Sequence, residues 1–178
     1  MKTIALICIS FFSVVFVSST VIADGFYVIP VKGQVTSWDK KISGITRFKL
    51  VLDGEAVLDR ETGLVWEQSP STDSQDWTFS LSSCYGREVA NRKGWRIPTI
   101  EELMSLVDNE NANPALPTGH PFSNVQVGLY WSTTSRVTSS PDGSAWMVDF
   151  INGALDNNLK SGSYYRWCVR GGHGHDAY

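Results

Sequence analysis

The chain is short of the residues that most enzyme chemistry requires: of 178 residues, three are cysteine and three histidine. Two of the histidines, His173 and His175, sit in the tail, and His120 lies in a loop between Gly119 and Pro121 with no serine or cysteine nucleophile context. No zinc-ligand spacing occurs and no glycine-rich loop suited to cradling phosphate. Basic residues are not in excess: 15 Lys and Arg against 18 Asp and Glu give a net charge of −3, so nucleic acid is not an expected partner. Beyond residue 23 no run is apolar enough to span a membrane. The His173-Gly174-His175-Asp176 tail resembles a weak metal chelator but lacks fixed geometry.

What is present begins with the N-terminus. Lys2 is followed by an apolar run from Ile4 to Val17, then Ser18-Ser19-Thr20, with Val21-Ile22-Ala23 offering a small-residue cleavage site. That is the layout of a secretory signal peptide, residues 1–23, and the run is shorter than the roughly 20 residues a spanning helix needs. Removing it removes Cys8 and leaves Cys84 and Cys168. An exported chain meets an oxidising compartment, so these two are expected to form one disulfide. A bridge closing so long a loop stabilises by roughly 4–5 kcal/mol on chain-entropy grounds. All seven tryptophans fall after residue 23, which points to a core built on aromatic anchors.

Residues 24–46 read as a short strand, Phe26 to Val31, and a polar connector. Phe48, Leu50 and Leu52 then alternate, Asp53-Gly54 signals a hairpin turn, Val57-Leu58 resumes, and Leu64-Val65-Trp66 follows the Thr62-Gly63 turn. Trp77, Leu81, Cys84, Tyr85 and Val89 share a helical face, with Arg92-Lys93-Gly94 as the expected helix end. Thr99 and Glu102 make a capping box for a second helix whose stripe is Ile100, Leu103, Met104 and Val107. After a loop over residues 109–128, strands are expected at 129–132, 145–151, 154–159 and 164–169, the middle pair joined at Asn152-Gly153. Strands, two helices, a long loop and more strands indicate an α+β domain: two helices packed on short antiparallel sheets, with a disulfide from the first helix to the last strand.

Several stretches together resemble one family. They are Arg47-Phe48 before the Asp53-Gly54 turn, Asp59-Arg60-Glu61-Thr62-Gly63-Leu64-Val65-Trp66, Cys84 on a helix, and Gly94-Trp95-Arg96-Ile97-Pro98-Thr99 with Glu101-Glu102-Leu103. Tyr130-Trp131-Ser132-Thr133-Thr134, Ala145-Trp146 through Asp149-Phe150, Asn152-Gly153 and Arg166-Trp167-Cys168-Val169-Arg170 complete the set. Their order is similar to the Lcl C-terminal domain family, named for the end domain of a bacterial collagen-like adhesin, over about residues 47–171, leaving 172–178 as a tail. The resemblance implies a C-type-lectin-like fold and a binding or adhesion role, in the adhesin toward sulfated glycans and host surfaces. Unlike the adhesin, this chain has no collagen-like Gly-X-Y tract, which removes that route to trimers. Related folds host formylglycine-generating enzymes, which need free cysteines.

The recognisable motif residues read as structural: Trp95 as core, Arg96 as partner to a carboxylate or carbonyls, Pro98 as helix entry, and Trp66, Trp131 and Trp146 as core. Thr99, Glu102, Asp149 and Arg170 belong with them. Candidate binding residues sit on a loop face spanning 108–128 and 133–143, with the Asp156-Asn157-Asn158 edge beside it: Asp108, Glu110, Asn113, Thr134, Arg136, Asp142, Asp156 and Asn157. Asp108 and Glu110 are also a candidate calcium pair, since calcium takes six to eight oxygens. The Glu-Pro-Asn, Gln-Pro-Asp and Trp-Asn-Asp motifs of calcium-dependent sugar-binding lectins are absent, Trp131-Ser132-Thr133 standing where the last would fall. Arg87, Arg92, Lys93 and Arg96 form a candidate basic patch for sulfate or phosphate. The expectation is an exported, non-catalytic module reading a glycan or protein surface through its loops, without a required cofactor. A structural subunit of a cell-envelope assembly is the alternative.

Overall fold

The computed structural model describes residues 42–137 and 143–171. The expected signal peptide, the Phe26–Val31 strand, Asp142 and the histidine tail lie outside the described residues. Order along the chain is helical turn α1 (Gly44–Arg47), β1 (Phe48–Val51), a 3₁₀ turn, β2 (Ala56–Asp59), β3 (Val65–Glu67), α2 (Trp77–Tyr85) and α3 (Ile100–Met104). There follow β4 (Leu129–Ser135), β5 (Ser144–Asp149), β6 (Ala154–Leu159) and β7 (Val169–Arg170). The strands form two antiparallel sheets, β1-β2-β3-β7 and β4-β5-β6. The expected α+β class is therefore observed, with one Cys84–Cys168 disulfide whose Cα atoms are 5.5 Å apart.

Two buried clusters hold the sheets together. In the first, Trp66, Phe122, Tyr130, Phe150 and Trp167 pack through edge-on and tilted ring contacts, with centroids 4.8 Å apart for Phe122 and Trp167 and 5.2 Å for Tyr130 and Phe150. The second surrounds the disulfide with Trp95, Ile97, Trp131, Ala145 and Met147. β5 serves both, Val148 facing one cluster and Met147 the other, so the three-stranded sheet is buried on both faces there.

The helices are shorter than periodicity suggests. α2 stops at Tyr85, not at Arg92-Lys93-Gly94, because the chain turns back through Ala90 and Asn91, both left-handed, to pair Val89 with Arg92. Cys84 faces the core, and Tyr85, expected on the same stripe, is 85% exposed. α3 has the expected capping box: Thr99 Oγ1 accepts from Glu102 N and Glu102 Oε2 accepts from Thr99 N. Leu50 is exposed, although the alternation it belongs to suggested an inward position. The expected last strand is also interrupted: Tyr164 pairs with Gln75 and Tyr165 with Tyr130, leaving β7 two residues long. Residues 44–46, expected to be connector, supply most of α1, which docks through Gly44 N onto Thr118 O at 3.2 Å.

Candidate functional site

The WRIPT motif works as a clasp. Arg96 and Val169 exchange backbone hydrogen bonds, and the Arg96 guanidinium meets Glu102 in a bidentate pair at 2.7 and 2.6 Å while also donating to Gly171 O. Glu102 thus serves the helix cap and the arginine together. Pro98 is buried and its carbonyl accepts from Thr133 N at 2.8 Å, while Arg170 Nε donates to Lys93 O. Trp66, Trp95 and Trp131 are buried as expected, and Trp146 is only partly so. Asp149 Oδ1 accepts from Ile151 N and shapes the β5–β6 turn.

The candidate binding residues do not converge on one face. Asp108, Glu110 and Asn113 lie beside the β5–β6 turn, where Asn113 N donates to Ile151 O and Ala115 N to Phe150 O. Thr134 and Arg136 lie at the opposite end of the same sheet, Arg136 N donating to Ser144 O. Thr134 Oγ1 is engaged there by Ile100 N at 3.0 Å, which completes the cap of α3. Asp156 and Asn157 sit on β6, with Asn157 N donating to Asp156 Oδ1 at 2.7 Å. β5 is six residues long, so the two ends stand about 17 Å apart.

One of these groups frames a recess of about 340 Å³, lined by Ser43, Asp108, Glu110, Asn111, Pro117 and Thr118 with Ile42 and Gly44 at its edge. Its wall is built by side chains that bond the loop to itself. Asp108 Oδ1 accepts from Glu110 N at 3.1 Å and Oδ2 from Asn111 Nδ2 at 3.0 Å, and Asn111 Nδ2 also donates to Leu116 O. Thr118 Oγ1 donates to Asn111 Oδ1 at 3.4 Å. Gly44 closes the other side: a Cβ there would come within 2.7–2.9 Å of Thr118 O, His120 N and Pro117 O. The recess therefore presents carboxylate, hydroxyl and amide groups around a proline.

Both oxygens of Asp108 accept hydrogen bonds that fix the loop, and among the described residues no three His, Cys, Asp or Glu side chains group closely enough to hold a metal ion. The candidate basic patch is also largely spent. Arg87 pairs with Glu67, Lys93 with Glu88 at 3.5 Å, and Arg96 with Glu102. His120 is half-buried against Phe122, and burial holds its pKa below the ordinary histidine value.

Sequence reasoning missed the group around Glu67. This carboxylate is buried beside the disulfide, 2.5 Å from Arg87 Nε, with Cys168 N donating to its other oxygen at 3.1 Å. Burial pushes its pKa up, opposed by Arg87, by the Cys168 amide and by the charge of Arg166. Arg166 lies over the Phe79 ring at 5.8 Å. The sequence signal was faint: a charge ending an otherwise apolar Leu64-Val65-Trp66 strand.

The motif residues of this small α+β domain are thus spent on clasping a frame in which one disulfide ties α2 to the residue before β7. The Lcl C-terminal domain model matches residues 55–170, and the chain belongs to that family. No curated protein matches it.

Proposed function

We propose that this protein is an exported, non-catalytic binding module of C-type-lectin-like type, which takes a hydroxyl-rich glycan in the recess between α1 and the 108–118 loop. The observation that carries this reading is the lining itself: Ser43, Glu110 and Thr118 bring hydroxyl and carboxylate groups to the recess beside Pro117. The loop behind them is braced by Asp108 and Asn111, so the polar groups are held in place before a ligand arrives. Membership of the Lcl C-terminal domain family supports a binding or adhesion role. The disulfide suits an oxidising compartment and leaves neither Cys84 nor Cys168 free for cysteine chemistry.

The test is a glycan array probed with the full chain, repeated with Glu110→Ala and with Ser43→Ala/Thr118→Ala. A glycan signal lost in these variants at unchanged melting temperature supports the reading. Signal that survives them, or binding only to protein surfaces, overturns it. The alternative of a structural envelope subunit is favoured by a separate observation, the exposed Leu155 and Leu159 on β6.

A further inference from the structure

β6 is an edge of the three-stranded sheet, and among the described residues no strand pairs with its outer side. Lys160 N donates to Gly143 O at 2.9 Å, which sets the phase of the β5–β6 ladder. With Trp146 opposite Asn157, the hydrogen-bonded pairs are Ala145 with Asn158 and Met147 with Asp156. The backbone N–H and C=O groups of Leu155, Asn157 and Leu159 therefore point away from β5. Asn157 N agrees, since it donates to the neighbouring Asp156 carboxylate and not to the ladder. The side chains of the same three residues share one sheet face, and Leu155 and Leu159 are 53% and 54% exposed.

Sheet edges of this kind are normally blunted by proline, lysine or a bulge. Ala154–Leu159 contains neither residue and pairs with β5 without a register shift, and its only charge is Asp156. We infer that β6 pairs with β6 of a second copy of this chain, antiparallel, about a two-fold axis at Asn157.

The register follows from the segment Leu155-Asp156-Asn157-Asn158-Leu159. Opposed residues in an antiparallel pair lie on one face, so a two-fold axis normal to the sheet passes through a residue position. An axis at Asp156 sets carboxylate against carboxylate, which is unfavourable. An axis at Asn157 overlaps the whole segment. Leu155 then faces the partner's Leu159, and by symmetry the reverse; Asp156 faces the partner's Asn158, an acceptor against an amide donor. Asn157 N exchanges its bond to Asp156 for the partner's Asn157 carbonyl, and the released carboxylate takes the partner's Asn158 amide. Leu159 O accepts from Gly162 N at 2.8 Å and has a second lone pair for the pairing. The surface shares no residue with the recess, so it stands or falls separately from the glycan reading.

Sedimentation velocity of the full chain, from about 1 μM to about 1 mM, is the primary test. The expected result is a reversible monomer–dimer equilibrium. Leu155→Lys/Leu159→Lys, at exposed positions, is expected to weaken the dimer by about tenfold or more with circular dichroism unchanged. The register is read separately by mixing Asp156→Cys protein with Asn158→Cys protein under mild oxidation. A non-hydrogen-bonded pair brings their Cα atoms to about 4.5 Å, within disulfide reach, so the mixture should cross-link far more than either variant alone. A monomer across the whole range, a dimer indifferent to the lysines, or preferential self-linking of Asp156→Cys overturns the proposal.

Discussion

Glu67 and Cys168 are tied to each other twice: Glu67 N donates to Cys168 O at 3.1 Å, and Cys168 N donates to the Glu67 carboxylate, also at 3.1 Å. The disulfide is thus anchored on its strand side by a buried charge that also holds Arg87. Truncation of Glu67 strands the Cys168 amide and removes a counter-charge shared by Arg87 and Arg166, leaving Arg166 the charge of Asp73. Glu67→Ala is expected to cost about 2–4 kcal/mol in urea denaturation. A loss below about 1 kcal/mol would show that water replaces the carboxylate without penalty.

Acid stability is expected to centre on Asp59. Burial pushes this carboxyl up, but hydrogen bonds from Arg47 and Thr62, the Arg47 charge and the Glu61 amide outweigh it and hold its pKa below the ordinary value of 3.8. A depressed carboxyl contributes stability that is present above the unfolded-state pKa and is lost as pH falls through the folded one. Glu67 works in the opposite sense: its raised pKa favours the folded state below its unfolded value of 4.5, and that contribution fades as pH rises. Melting curves between neutral pH and about pH 2.5 should therefore fall steeply below about pH 4. Asp59→Asn should melt lower at neutral pH and show a shallower acid slope. An unchanged slope would assign acid sensitivity to another carboxylate.

Cys84 and Cys168 are separated by 84 residues in sequence, so their bridge removes a large loop from the freedom of the unfolded chain. The chain-entropy relation gives roughly 4–5 kcal/mol for such a closure. Cys84→Ala/Cys168→Ala is expected to lose a comparable amount in urea denaturation, shown chiefly as a lower midpoint. Retention of full stability would mean that the aromatic clusters alone carry the frame.

Much of the frame was legible because local chemistry and tertiary structure agree in it. The Thr99–Glu102 box needs only four consecutive residues to be recognised, and the two cysteines outside the expected signal peptide admit one pairing. The misreadings lie where a partner distant in sequence decides. Tyr85 keeps helical spacing with Leu81, yet Cys84 turns inward to its disulfide and Tyr85 is left in solvent. Tyr164 and Tyr165 have strand-like composition, but they bridge to Gln75 and Tyr130 in turn and so never form one ladder. Polar character made Asp108 a candidate binding residue, without showing that its two oxygens brace its own loop. Thr134 was likewise drawn in as a loop residue, when its hydroxyl caps a helix 34 residues away in sequence.

Gly44 offers a way to alter the recess without touching any of its polar side chains. Its own conformation is helical, so the need for glycine comes from space and not from backbone angle. A methyl group there would meet three backbone atoms, Thr118 O, His120 N and Pro117 O, all within 2.9 Å. Backbone cannot swing aside as a side chain does, so α1 and the 117–120 segment must separate. That breaks the Gly44 N to Thr118 O hydrogen bond and widens the recess between Ser43 and Thr118. Gly44→Ala is expected to destabilise by about 1–3 kcal/mol and to abolish the proposed glycan binding, while the Cys84–Cys168 disulfide still forms. Hydrogen exchange should show the separation directly, as faster exchange at Gly44 N and His120 N with β2 and β3 unaffected. Binding that persists after α1 has moved would place the ligand elsewhere on the domain.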